Sequence, residues 1–150
     1  MIILDKYTII LDELDFALEL INIKNIKHIN ITIAMYIVFT RIHELFPKEI
    51  SNIIILEYEK IINNIIANES DISDDNPNNE YQNFIHTIRA SFFNNSFDIQ
   101  DISDHKYFIF HDKQTNTNSI KLPYNSLRSI LSIIIQKEII FFKSLKELYQ

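Results

Sequence analysis

The chain has 150 residues, 47% of them apolar, and a formal net charge of −6. That length fits a single domain, residues 1–150, able to bury roughly two-thirds of the surface its unfolded chain exposes. It contains neither cysteine nor glycine. This excludes disulfides, thiolate metal sites, Gly-rich phosphate loops and nucleophile elbows, and with them a nucleotide cofactor of the common kinds.

The first half reads as long helices. Ile3, Tyr7, Ile10, Leu14, Leu18 and Ile21 recur at helical spacing. After a polar break near Asn22–Asn25 the pattern returns with Ile26, Ile29, Ile33 and Ile37. Pro47 marks a boundary because it disfavours helix at Phe46 and suits a first helical turn. A third helix carries Ile54, Tyr58, Ile61 and Ile65. The many β-branched residues weaken helix propensity, but the period and segment length favour helix over strand.

Glu69 to Asn79 is polar, acidic and interrupted by Pro77, hence a loop, and a fourth helix spans Tyr81 to Phe93. The period then changes. Phe97-Asp98-Ile99-Gln100, Tyr107-Phe108-Ile109-Phe110 and Ser119-Ile120-Lys121-Leu122 are short extended segments separated by Ser103-Asp104-His105 and Asn116-Thr117-Asn118. A last helix begins with Asn125 or Ser126 as N-cap and aligns Leu127, Leu131, Ile134, Phe141, Leu145 and Leu148 on one seam. The expected fold class is all-α: an up-and-down bundle of about five helices with a small β-hairpin or three-stranded flap before the last helix.

The abundance of isoleucine, asparagine and lysine matches AT-rich codon usage. Asp5 and Lys6 interrupt the opening apolar residues, so no signal peptide is expected, and Gln136-Lys137-Glu138 breaks the most apolar C-terminal run, so no membrane span is expected. A cytoplasmic location is the default. Net negative charge argues against broad, non-specific nucleic-acid binding. From Lys121 onward Arg128, Lys137, Lys143 and Lys146 face only Glu138 and Glu147, which reads as a solvated helix face.

Among the five histidines, no pair has the spacing of a helical metal motif. His28 reads as surface, His105 and His111 as exposed in or beside the flap, and Arg41, His43 and Glu44 as a polar helix face with an Arg41–Glu44 pair. Asp71, Asp74 and Asp75 lack calcium-loop spacing. The segment Phe84 to Phe97 stands apart. Ile85, Ile88 and Phe92 form its apolar stripe, His86 and Arg89 are i,i+3 neighbours on another face, and Asn94 lies at the helix end. An arginine there can hold phosphate through a planar bidentate fork. A surface arginine beside an asparagine C-cap is the plainer alternative.

These residues resemble the HEPN family (higher eukaryotes and prokaryotes nucleotide-binding domain). The similarity lies in Ile88-Arg89, then Phe97-Asp98-Ile99, then Tyr107-Phe108-Ile109-Phe110-His111-Asp112, then the helix Leu127 to Leu148. The resemblance covers roughly Tyr81 to Lys146 and implies a helical, metal-independent ribonuclease of toxin–antitoxin or antiviral defence, without cofactor or metal. In that family an arginine is followed a few residues later by a histidine. Both protomers of a homodimer contribute them to one cleft, where a 2′-hydroxyl attacks the adjacent phosphate.

The resemblance implies catalytic roles at Arg89 and Asn94, with His86 as a substitute base, and RNA contacts from Arg89, Ser91 and Asn95. Two positions depart from the pattern. Ala90 replaces a frequent polar residue, and Asn94 stands where the histidine belongs. An asparagine amide can donate to phosphate but cannot exchange a proton near neutral pH. Losing that help costs about 10²–10⁴ in rate, so the site is expected to be weak or dead. Three explanations stay open: a degenerate member kept for dimerisation, RNA binding or inhibition of a partner; an inactivated toxic RNase; or substitution by His86. Expected partners are a second copy, RNA and a cognate toxin or antitoxin protein. The rival reading is a non-catalytic protein-binding bundle, such as an immunity factor or a viral Bcl-2-like decoy.

Overall fold

A computed structural model of the protein describes residues 3–54, 56, 60, 88, 90–92, 94, 96–103, 105–111 and 119–148. The acidic loop and most of the third and fourth helices expected from the sequence lie outside them. The chain is mostly helical, with one small antiparallel sheet before the last helix. It forms two compact units, Met1–Ile54 with Leu131–Gln150, and Ile55–Ile130.

In the first unit, α1 (Ile3–Ile21) buries Tyr7, Ile10, Leu14, Ala17 and Ile21. This is the expected stripe, with Ala17 further inside than its neighbour Leu18. After the turn at 22–25, α2 (His28–Tyr36) opens with the Asn30 side chain accepting from the Lys27 backbone N–H at 3.2 Å, half of a capping box. A π-helical stretch, Ile37–Arg41, leads into α3 (Ile42–Leu45).

The expected seam of α2 requires correction. Ile26 precedes the helix, and Ile29 and Ile33 are exposed. Ile26 and Ile37 are buried as expected, and the rest of the buried set is Ile31, Ala34, Met35, Val38, Phe39 and Ile42. This set also repeats every three to four residues, and it excludes Asn30 and Thr32 from the interior.

Pro47 acts as expected. Phe46 is extended, at φ −122° and ψ 154°, and helix resumes at residues 48–54, where Ser51 N–H reaches the Pro47 carbonyl at 3.2 Å. The same extended residue turns its ring inward. Phe46 stacks on Tyr7 at 5.1 Å and on Phe142 at 4.9 Å, centroid to centroid. Phe142 belongs to the last helix, α4 (Tyr124–Leu148).

The helix α4 departs from its expected seam in its second half. Leu127, Leu131 and Ile134 are buried, but the inward face continues through Ile135, Glu138 and Phe142, while Phe141 and Leu145 are half-buried and Leu148 is exposed. Glu138 is therefore no part of a solvated face. It is 2% exposed, neither carboxylate oxygen has a hydrogen-bond partner, and burial holds its pKa well above the ordinary carboxylate range.

In the second unit, β1 (Phe97–Ile102), β2 (His105–His111) and β3 (Ser119–Pro123) form an antiparallel sheet in that order. All three strands fall where the alternation predicted them. The first turn is tighter than expected, since His105 already pairs with Ile102, and Ser103 adopts φ 52°. Phe97 faces Phe110, Ile99 faces Phe108, and Phe108 faces Leu122. The period of two therefore collects Phe97, Phe108, Phe110 and Leu122 on one inner face.

Helix α4 starts at Tyr124, directly after Pro123, so the cap position lies two or three residues before the expected Asn125 or Ser126. Its Tyr124 packs at 5.4 Å on Phe108 and donates to Asp101 Oδ2 at 3.3 Å. Burial, and secondarily the Asp101 charge, push that phenol up to about 12.

Candidate functional site

The described residues of the site implied by the sequence, Ser91 and Asn94, lie where a helix ends and the sheet begins. Ile88, Ala90, Ser91 and Phe92 are helical, and Ile88 is buried. Asn94 sits in the following turn, exposed, its N–H returning to the Ala90 carbonyl at 2.9 Å. Ser96 N–H reaches the Ser91 carbonyl at 2.8 Å, a span of five residues that closes a helix end in the Schellman manner. Asn94 thus holds a surface position at the helix end, as a cap residue does. Arg89, His86 and Asn95 lie outside the described residues.

Ser91 has a different part from RNA contact. It is buried, and its hydroxyl donates to the His111 carbonyl. On the same residue, His111 N–H donates to the Ser96 carbonyl at 3.3 Å. The two backbone polar groups of His111 are therefore committed to the last turn of the helix, through Ser91, and to the residue Ser96 that follows it. A neutral hydrogen bond contributes about 0.5–1.5 kcal/mol, and leaving a buried carbonyl unpaired costs more. This pair of bonds fixes the helix end against β2.

The His111 ring projects to the opposite, outer face of the sheet, as the pairing requires. Asp98 pairs with Ile109, and His111 pairs with Ser119, so all three side chains share that face. His111 Nε2 lies 2.7 Å from Asp98 Oδ2, and Nδ1 lies 3.0 Å from Ser119 Oγ. A carboxylate accepts only, so Nε2 carries a proton, and the neutral ring presents its Nδ1 lone pair to the serine hydroxyl. The carboxylate fixes both the tautomer and the plane of the imidazole.

Further along the outer face, Lys121 Nζ stands 4.4 Å from the Tyr107 ring centroid, and the His105 ring stacks on Tyr107 at 6.4 Å. Aromatic faces interleaved with cations suit single-stranded nucleic acid, where bases stack and phosphates meet charge.

From the sequence alone His111 reads only as an exposed residue in or beside the flap. The signal that could find the cluster is positional. Once β1, β2 and β3 are aligned in register, Asp98, His111 and Ser119 fall on one face, and three chain-distant polar residues become neighbours.

A second polar cluster sits in the first unit. Arg41 Nε contacts both Glu13 oxygens at 2.9 and 3.1 Å, and its NH1 contacts Glu44 Oε2 at 3.2 Å. Tyr36 OH donates to Glu44 Oε1 at 2.9 Å. The i,i+3 pair expected from the sequence is present, with Glu13 added. Hydrogen bonding to Glu13 raises the Arg41 pKa, and hydrogen bonding to Glu44 raises that of Tyr36. With two carboxylates on it, this guanidinium is not an open phosphate site.

Among the described residues no group of three or more acidic, histidine or cysteine side chains could hold a metal ion, and no helix is long and apolar enough to cross a membrane. Comparison with protein-family models, with curated proteins and with solved structures gives no match.

Proposed function

We propose that this chain is a HEPN-like cytoplasmic protein of a microbial defence or toxin–antitoxin system, an up-and-down bundle of about five helices that dimerises and engages RNA. Its ribonuclease site is built around Arg89 and weakened by Asn94. The observation that carries the reading is the order of elements: a helix end at Ile88, Ala90, Ser91 and Phe92, a turn at Asn94, strands Phe97–Ile102 and His105–His111, then the long helix Tyr124–Leu148. The Tyr107–Lys121–His105 surface adds support for an RNA ligand. A cognate toxin or antitoxin protein is the further partner this reading expects.

The test is a gain of function. Asn94→His is expected to create or restore RNA cleavage in EDTA, and Arg89→Ala in that background is expected to abolish it. Sedimentation is expected to give a dimer. An Asn94→His dimer that leaves RNA intact sinks the nuclease reading of this site.

The alternative, a non-catalytic protein-binding bundle of the immunity or Bcl-2-like kind, draws on the exposed Ile29, Ile33 and Tyr36 at helical spacing on α2. A monomer that leaves RNA unbound and uncut favours it. The three-stranded sheet speaks against the Bcl-2-like form.

A further inference from the structure

We infer that His111, held by Asp98, is the proton-transfer group of this protein, and that single-stranded RNA places a ribose 2′-hydroxyl at His111 Nδ1 where Ser119 Oγ now stands. This rests on the reading that the chain acts on RNA, and supplies what the Arg89–Asn94 segment lacks.

Three observations carry it. The first is orientation. Asp98 Oδ2 at 2.7 Å from Nε2 leaves Nδ1 as the basic atom, directed at a hydroxyl 3.0 Å away. That is the arrangement needed to take a proton from an incoming hydroxyl at hydrogen-bond distance. The second is access. The His111 side chain is 40% exposed and that of Asp98 72%, so a polymer reaches the ring without opening the fold. The third is attachment. The His111 backbone is bonded to Ser91 and Ser96, so the imidazole and the helix end at Ser91 belong to one hydrogen-bonded segment. A base laid on Tyr107, with phosphate toward Lys121, extends along the same face.

The step balances without a co-reactant. His111 Nδ1 takes the 2′-hydroxyl proton, O2′ bonds to the adjacent phosphorus, and the P–O5′ bond breaks. The proton reaches the departing O5′ through solvent. The products are a 2′,3′-cyclic phosphate and a 5′-hydroxyl. Asp98 is a positioning residue, since it acts through the ring. Charged or titratable side chains on the same sheet face as the imidazole are Asp98 from β1, His105 and Tyr107 from β2, and Lys121 from β3.

The experiment uses the full chain, an end-labelled single-stranded RNA in EDTA, and mass spectrometry of the ends. Slow cleavage to cyclic phosphate is expected, with none of the 2′-deoxy strand. His111→Gln is expected to lower the rate at least about 100-fold. His111→Ala is expected to recover part of it when imidazole is added. Asp98→Asn is expected to lower the rate less and to displace the acidic limb of the pH–rate profile, which a merely structural role would leave in place. Unfolding curves check that each variant is folded.

Wild-type cleavage that survives His111→Gln overturns the inference. So does an inert wild type beside an active Asn94→His variant, which leaves the HEPN-like reading standing. If neither cleaves, both fall.

Discussion

Glu138 makes the sharpest demand on the thermodynamics of this chain. It lies one helical turn from Ile134 and one from Phe142, both fully buried, and neither of its oxygens has a hydrogen-bond partner. An unpartnered buried polar group costs about 1–3 kcal/mol in protein mutational data. Glu138→Leu removes it at similar volume. For a chain of this size each kcal/mol shifts Tm by about 2–4 °C, so a central value of about 2 kcal/mol predicts a rise of about 4–8 °C near neutral pH.

The sign of the pH dependence follows from burial. Burial raises the folded pKa, so the folded state keeps the proton where the unfolded chain has released it. The stability tied to this group is complete below about pH 4.3, the unfolded range, and is lost as pH rises through the folded value. Within that window the loss is at most about 1.4 kcal/mol per pH unit. Glu138→Gln keeps the shape and cannot ionise. The gap in Tm between Glu138→Gln and wild type, measured by thermal circular dichroism, is therefore expected to widen from pH 4.5 upward and then level. Parallel curves from pH 4.5 to 9, or a Glu138→Leu variant no more stable than wild type, refute this account of a neutral, unsatisfied carboxyl.

Other variants test other links. Phe142→Ala removes a fully buried ring stacked on Phe46 and is expected to cost about 3–5 kcal/mol in urea unfolding. Ser91→Ala removes the part-buried hydrogen bond to the His111 carbonyl and is expected to cost about 0.5–1.5 kcal/mol, with faster amide exchange at His111. A double-mutant cycle on Glu13 and Arg41, whose side chains are 30% and 31% exposed, is expected to give a coupling below about 1 kcal/mol that fades with salt. Ser103→Gly relieves a left-handed residue and is expected to stabilise by up to about 1 kcal/mol, read from the unfolding midpoint.

Local patterns proved legible in the sequence where one face differed clearly from the other. The strands alternate against turn-formers, and α1 carries its apolar residues on one stripe. In α2 isoleucine occupies both faces, so Ile29 and Ile33 form as regular a period as Ile31, Met35 and Val38. A composition rich in isoleucine blunts the contrast on which the period depends. The same ambiguity hid Glu138, because a charged residue at an inward position contradicts the rule that assigns charge to solvent. At the candidate site, the helix end and its exposed asparagine were legible. The contact of Asp98 and Ser119 with His111 was not, because cross-strand pairing joins residues 13 and 8 positions apart and register cannot be read from one strand alone.

That register has its own source. Ordinary hairpins lean on a glycine or asparagine turn to fix the alignment of their strands, and here the left-handed corner falls to Ser103 in a chain without glycine. The alignment is left to Phe97, Phe108 and Phe110, whose rings stack 6.0–6.3 Å apart on the inner face. A slip of one residue would turn Asp98 inward and separate it from His111. The polar address on the outside of the sheet is thus written by the phenylalanines beneath it, and a change in their size would relocate a carboxylate on the opposite face.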